Sequence, residues 1–245
     1  MNTDWDALTY GTRWSGIYDG LPWPAPDDAV DFLHKLAGDG PALELAIGTG
    51  RLAIPLAERG VEIHGLDSSQ DMIDKMRQKQ GGADIQVTLA DISSFEAQPD
   101  YSLAFLVLNT IYALQTQEQQ VSCFRSAAAA LRPGGYFVVE AFMPDPTRFQ
   151  RNSRAHVLDI GLDHVLIEAD KHDPSTQQIL EQHIHLKNGG VELFPAFLRY
   201  VWPSEMDLMA QLAGLRKVDR FGSWTRDPFT AQSGLHVSVY QRPEQ

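Results

Sequence analysis

The stretch LELAIGTGRLA, from Leu43 to Ala53, carries the residue types of a ligand-binding turn. Gly48, Gly50 and Ala53 fit the G-x-G-x-x-G/A spacing, in which glycines allow a tight turn and a close backbone approach to a pyrophosphate. Glu44 stands just ahead of that turn. A carboxylate there repels a pyrophosphate across a low-dielectric crevice and favours a ligand that brings positive charge. Asp67, 17 residues beyond Gly50, closes the segment VEIHGLD and can accept two hydrogen bonds from ribose hydroxyls. That task is common to nucleoside cofactors of several kinds, so Asp67 does not choose among them. Asp91, in LADI, is placed to accept a bond from an adenine amino group.

Other groups could move a proton or bind a metal. Glu140 sits at the carboxyl end of YFVVEAF, and LEQHIHL puts Glu181, His183 and His185 on one face of a strand, because side chains alternate with period two. A His-x-His pair with a carboxylate suits a metal. No third ligand is evident from spacing, so a solvent-facing polar surface is the expectation and no metal is expected. His183, His156 and Glu140 are the candidates for a base or for contact with a substrate. The N-terminal aromatics Trp5, Tyr10, Trp14, Tyr18 and Trp23 read either as a packing stripe or as a lid. In a lid, Tyr18 or Tyr10 would cover a cation through its ring face. Trp14 and Tyr18 are four residues apart and share a face on a helix.

The elements that must position these groups follow from periodicity. Asp27 or Asp28 can cap a helix through AVDFLHKLAG that Gly38 stops. PALELAI, VEIHGLD, IQVTLAD, YSLAFLVLN and YFVVEAF read as strands, alternating with helices in RLAIPLAERG, SQDMIDKMRQKQ and QEQQVSCFRSAAAALRPGG. In the last of these, Pro133, Gly134 and Gly135 close the helix. Strand–helix alternation from Leu43 to Phe142 predicts a doubly wound α/β fold with a mostly parallel sheet. About three strand-like segments then follow, HVLIEAD, QQILEQHIHL and VELFPAFLRYVW, joined by the turn chemistry of KHDPST and KNGG. They predict an antiparallel β-flap inserted before the helix SEMDLMAQLAG, and LRKVDRFGSW and LHVSVYQR form a C-terminal antiparallel hairpin. The expected organisation is one domain: a cap over 1–40, a core over 41–142, the flap over 143–203 and a C-terminal helix and strands over 204–245.

Composition narrows the partners. The chain has 245 residues, 43% of them hydrophobic, and a formal net charge of −12 from 32 acidic and 20 basic side chains. No basic stripe could release counterions from nucleic acid, so a small-molecule acceptor is expected and a nucleic-acid partner is not. Cys123 is the only cysteine and reads as a buried helix position in a reducing compartment. Asp4 and Asp6 and the absence of an apolar run beyond LAFLVL argue against a secretory signal and a membrane span, so a cytoplasmic protein is expected.

Taken in order and spacing, ELAIGTG, GLD followed by SSQDMI, LADI, LNTIYAL and LRPGG resemble the class I S-adenosylmethionine (SAM)-dependent methyltransferases, from about Ala42 to Glu140. The resemblance implies a Rossmann-like fold, SAM as cofactor, and roles for the matching positions. Glu44, Ala46, Gly48 and Gly50 would line the methionine end, where a sulfonium and an ammonium suit Glu44. Asp67 would take the ribose, Met72 would pack on the adenine, and Asp91 with Ile92 would bind it. Leu108 would offer a strand-end carbonyl to the ammonium. Ala46 replaces the commoner first glycine of the motif. Outside the core, the Tyr18-Asp19 pair and the flap are similar to small-molecule methyltransferases of bacterial secondary metabolism, including sugar N-methyltransferases. On this reading Tyr18 covers the sulfonium, and the flap is the expected surface of any homodimer. NTIY, from Asn109, is similar to the Asn-Pro-Pro-Tyr loop of DNA amino-methylating enzymes but lacks its prolines, so Asn109 is expected to cap the segment after the fourth strand. The expected reaction is methyl transfer to N or O of a small molecule. A SAM-binding protein without catalysis and an NAD(P)-dependent oxidoreductase are the alternatives.

Overall fold

The computed structural model describes residues 7–21, 23–96, 100–145, 147 and 152–244; Asp4, Trp5 and Asp6 lie outside them. A seven-stranded sheet forms the centre, in the order β10-β11-β5-β4-β1-β2-β3. Its strands are β1 (Ala42–Leu45), β2 (Ile63–Asp67), β3 (Gln86–Leu89), β4 (Tyr101–Leu106), β5 (Leu131–Phe142), β10 (Arg216–Phe221) and β11 (Leu235–Gln241). The first five are parallel, while β11 runs antiparallel to both β5 and β10. Strand order reverses between β1 and β4, so a crevice opens above their carboxyl ends. This is the doubly wound sheet with a C-terminal hairpin that the sequence predicts.

The buried sheet explains the apolar runs. On β4, Leu103 and Phe105 join one hydrophobic layer with Val30 and Leu33 of α2 (Asp27–Ala37) and Leu56 of α3 (Ala53–Glu58). Ala104 and Leu106 face the opposite layer, with Phe124 of α5 (Gln117–Ala130) and Met206 of α6 (Pro203–Leu212). With both faces covered, polar alternation has no place in such a strand. Thr116 and Gln119 form a capping box at α5, and Ser69 caps α4 (Gln70–Arg77) through the Met72 amide at 3.3 Å. Asp27 and Asp28 do not cap α2: Pro26 holds the cap position and both carboxylates lie in the first turn, where the helix dipole favours them. The LRPGG segment also departs from expectation. It opens β5 rather than closing the helix, because the register jumps from Tyr101↔Leu131 to Leu103↔Tyr136 and loops out the residues between.

The flap has four strands, not three: β6 (Ser153–Ile160), β7 (His164–Asp173), β8 (Gln178–Lys187) and β9 (Gly190–Arg199), antiparallel in chain order. Its roots are pinned to the core. The Tyr112 hydroxyl reaches the carbonyls of Phe142 at 2.8 Å and Val201 at 3.2 Å, the two ends of the insertion. Arg199 of β9 donates to Gln120 of α5 at 2.5 Å and to Glu205 of α6 at 2.9 Å. Helix α1 (Ala7–Trp14) packs between flap and core. None of the described helices is long and apolar enough to cross a membrane.

Candidate active site

Three backbone turns shape the crevice. In the loop after β1, Ala46, Gly48 and Gly50 have φ of 58°, 56° and 78°. Glycine takes that region freely, whereas Ala46 holds it against steric resistance from its Cβ. After β4, Leu108 and Asn109 are also left-handed, with φ of 51° and 62°. Side chains hold that bend: the Leu108 amide donates to Glu140 at 2.6 Å, and Asn109 Oδ1 accepts the Phe142 amide at 2.6 Å. Asn109 therefore ties β4 to β5 instead of capping the following turn through its side chain, as the sequence suggests.

Glu44 is 3% exposed, and its Oε2 has no partner although it is sealed from solvent. Burial pushes its carboxyl up to about 8, with the Arg51 guanidinium and the Ala53 amide opposing and Asp67 adding to the shift. Asp67, also buried, accepts the Gly48 amide at 2.7 Å on one oxygen and the Ser69 amide at 2.8 Å on the other. Desolvation still raises its affinity for a proton. Glu140 is buried and raised for the same reason, opposed by the Leu108 amide and by Arg51. An orphaned carboxylate oxygen, two half-satisfied carboxylates and open glycine backbone fit a ligand that carries both cationic and hydroxyl groups.

The N-terminal segment closes over this crevice. Gly11 of α1 lies so close to Ser69 that an added Cβ would stand 2.1 Å from its Oγ. Trp14, buried, stacks on Tyr10 with ring centroids 5.2 Å apart, donates its indole N–H to the Pro195 carbonyl of β9 at 2.9 Å, and packs with Met72 and Phe194. Tyr18 lies in a short 3-10 turn after α1, so it does not continue the helix face of Trp14. Burial raises its hydroxyl to about 12, with Arg51, Glu44, Asp19 and Asp67 all in electrostatic reach. Next to it, Asp19 accepts from Thr49 Oγ1 at 2.7 Å and from Lys79 Nζ at 2.8 Å, and Lys79 also reaches the Thr49 carbonyl at 2.8 Å. The cap is thus latched to the glycine loop itself.

Of the residues singled out in the sequence, Tyr18, Glu44, Ala46, Gly48, Gly50, Asp67, Leu108 and Glu140 are brought together at the crevice. Met72 stands beneath Trp14, and Ile92 is buried near the end of β3. Asp91 is exposed and accepts the Ser93 amide at 2.7 Å. His183 and His156 belong to a separate cluster on the flap. There the expectation of a solvent-facing surface fails, because α1 covers the strands: His183 meets the Trp14 ring edge-on at 4.9 Å, and Glu168 lies 3.4 Å from its Nε2. His156 Nε2 lies 2.9 Å from Arg154 Nη2, which also donates to Glu168 at 2.7 Å. Sequence reasoning missed Arg51, although it directly follows Gly50 and its charge reaches Glu44, Glu140 and Tyr18. It also missed Glu168 and Lys79, which enter through strand register and tertiary contact.

Comparison with known proteins gives this geometry a lineage. A family model described as "Methyltransferase domain" matches residues 42–135. The structure of the CcbJ methyltransferase from Streptomyces caelestis is 38% identical, covers 98% of this chain and 100% of its own, and superposes with a TM-score of 0.92. A cypemycin N-terminal methyltransferase from Streptomyces sp is 28% identical over 214 residues, 85% of this chain and 86% of the relative. SAM-bound CalS10, an amino pentose methyltransferase from Micromonospora echinaspora, shares the fold at 17% identity and a TM-score of 0.68, with 99% of each chain covered. The chain therefore belongs to the class I SAM-dependent methyltransferases of the secondary-metabolism type, whose cofactor is SAM.

Proposed function

We propose that this enzyme methylates an amino nitrogen of a small molecule, in the space enclosed by the glycine loop, the cap and the flap. The observation that carries the reading is the carboxyl lining of that enclosure. Glu44, Asp67 and Glu140 are buried around it, each raised by desolvation. A cationic cofactor and an acceptor that arrives as an ammonium favour the ionised form of such carboxyls and are favoured by it. The names of relatives agree: one is an N-terminal methyltransferase, and a neighbour of like fold is a sugar N-methyltransferase.

When bound, SAM supplies an electrophilic methyl group on a good neutral leaving group. The chain's own residues bind, orient and exclude water. Asp67 would hold the ribose hydroxyls, while Ala46, Gly48 and Gly50 would give the methionine end a close backbone wall. The Leu108 carbonyl and Glu44 would receive the ammonium, and Arg51 the carboxylate. Met72, Ile92 and Asp91 would meet the adenine, and Tyr18 would cover the sulfonium. Glu140, raised by burial and standing beside Leu108, would take the proton of the acceptor; His183 and His156 would stand behind it in the flap wall.

The outer flap face exposes Val157, Ile160, Val191 and Leu193, an apolar surface that a second copy of the chain would cover. A cytoplasmic setting suits the single thiol of Cys123. The test is a panel of paired acceptors, each offered as amine and as hydroxyl analogue, with products read by mass spectrometry. Methyl gain on amines is expected. Gain confined to the hydroxyl analogues overturns the reading.

A further inference from the structure

The inner flap face holds the residues that the spacing left one ligand short. Register pairs Glu168 of β7 with His183 of β8, and Asp170 with Glu181, so these four side chains share one face. Glu168, Glu181 and His183 each offer a ligand atom, and the three atoms lie within 4.8 Å of one another. The missing ligand is thus supplied across the sheet, from a segment whose own sequence carries no metal spacing. His185 is not part of the group; its ring tilts onto Phe194 at 4.7 Å.

We infer that Glu168, Glu181 and His183 form a site for a zinc-class divalent cation, with one coordination position left for a heteroatom of the acceptor. Two observations carry it. The first is a distance. Glu168 Oε2 stands 3.4 Å from His183 Nε2, which is long for a charge-assisted hydrogen bond. It equals the edge of a tetrahedron whose bonds are about 2.0–2.1 Å, which is about 3.3–3.4 Å.

The second is an outer shell already in place. Arg154 donates to Oε1 of Glu168 at 2.7 Å and its Nε lies 3.3 Å from Asp170, which orients the carboxylate and leaves Oε2 turned to the cluster.

One imidazole and two carboxylates make a donor set that suits zinc, and three protein ligands leave the fourth position open. Glu181 is in electrostatic reach of Tyr10, whose other charged neighbours include Asp67. The cluster and the crevice thus meet at Tyr10, and we take the open position to receive a hydroxyl or amino group of the acceptor. That last role rests on the proposed function, whereas the metal site does not.

The test is a calorimetric titration of the chelator-stripped full chain with Zn2+. One equivalent is expected to bind, at least tenfold tighter than Ca2+, and Glu181→Gln and His183→Gln should each weaken it at least tenfold. Co2+ replacing zinc gives a second readout without any variant, as the visible bands of a four- or five-coordinate site. Absence of zinc binding, equal affinity for Ca2+, octahedral Co2+ bands, or folded variants that bind as the parent does would each overturn the assignment. S-adenosylhomocysteine titrated into the same preparations reports on the cofactor site separately, so the failure of one proposal is told apart from the failure of the other.

Discussion

On the proposed reading, Glu44 couples cofactor binding to a proton. Its carboxyl is 3% exposed, and burial raises it from an ordinary 4.5 to about 8. At pH 7 a carboxyl of that affinity is protonated roughly nine-tenths of the time. An ammonium arriving at the Leu108 carbonyl and at Glu44 favours the ionised form, so binding should expel the proton. The expected release is roughly 0.9 proton per site at pH 7, and affinity should climb about tenfold per pH unit until it levels near pH 8.

The folded state without cofactor moves the other way. Its proton affinity at Glu44 exceeds that of the unfolded chain, so this contribution to stability is complete below 4.5 and is lost as pH rises through about 8. The assay is calorimetry with S-adenosylhomocysteine at pH 7 in buffers of different ionisation enthalpy, where the slope of apparent enthalpy counts protons. Burial also raises Asp67 and Glu140, so Glu44→Gln is the necessary control and should remove most of the slope. A parent enzyme with no slope, or a variant that keeps it, refutes the reasoning.

Two further outcomes follow from the crevice. Asp67→Ala should weaken S-adenosylhomocysteine by more than tenfold in the same calorimeter, since it removes the proposed ribose acceptor and frees the Gly48 amide that shapes the loop; unchanged affinity would mean that the ribose lies elsewhere. Lys79→Met removes one of the two donors to Asp19. The contact is partly exposed and worth up to about 1 kcal/mol, so stopped-flow release of the cofactor should quicken by up to about fivefold with kcat little changed, and an unaltered release rate would show that the latch does not hold the cap.

Much of the core could be read from the chain because its signals are local. LAFLVL is apolar without a break since β4 is covered on both faces, and LELAIGTG bends within a few residues of its own glycines. Where a signal depended on pairing, the reading slipped. LRPGG has the composition of a helix stop, yet those residues are looped out of a strand, and only the β4–β5 register shows this. The first flap strand was overlooked for a similar reason. The register of β6 slips between Val157 and Asp159, which breaks the period of two that would have announced SRAHVLDI as a strand.

The same division separates the two walls of the proposed active site. The proposed cofactor wall is built from short contiguous pieces, Glu44 to Arg51, Asp67 to Met72, and Leu108 with Asn109, each of which sets its own geometry. Arg51 was missed there although it was in plain view, because the glycine spacing says nothing about the residue after it. The acceptor wall is built across strands: Arg154, Glu168, Glu181 and His183 come from three different strands and meet only through register. Shifting β8 by one residue would turn Glu181 and His183 to the apolar outer face and bring Gln182 and Ile184 inward. Cofactor identity can therefore be read along the chain, while the proposed acceptor wall is encoded in which strand lies beside which, and it becomes visible only once the flap is folded.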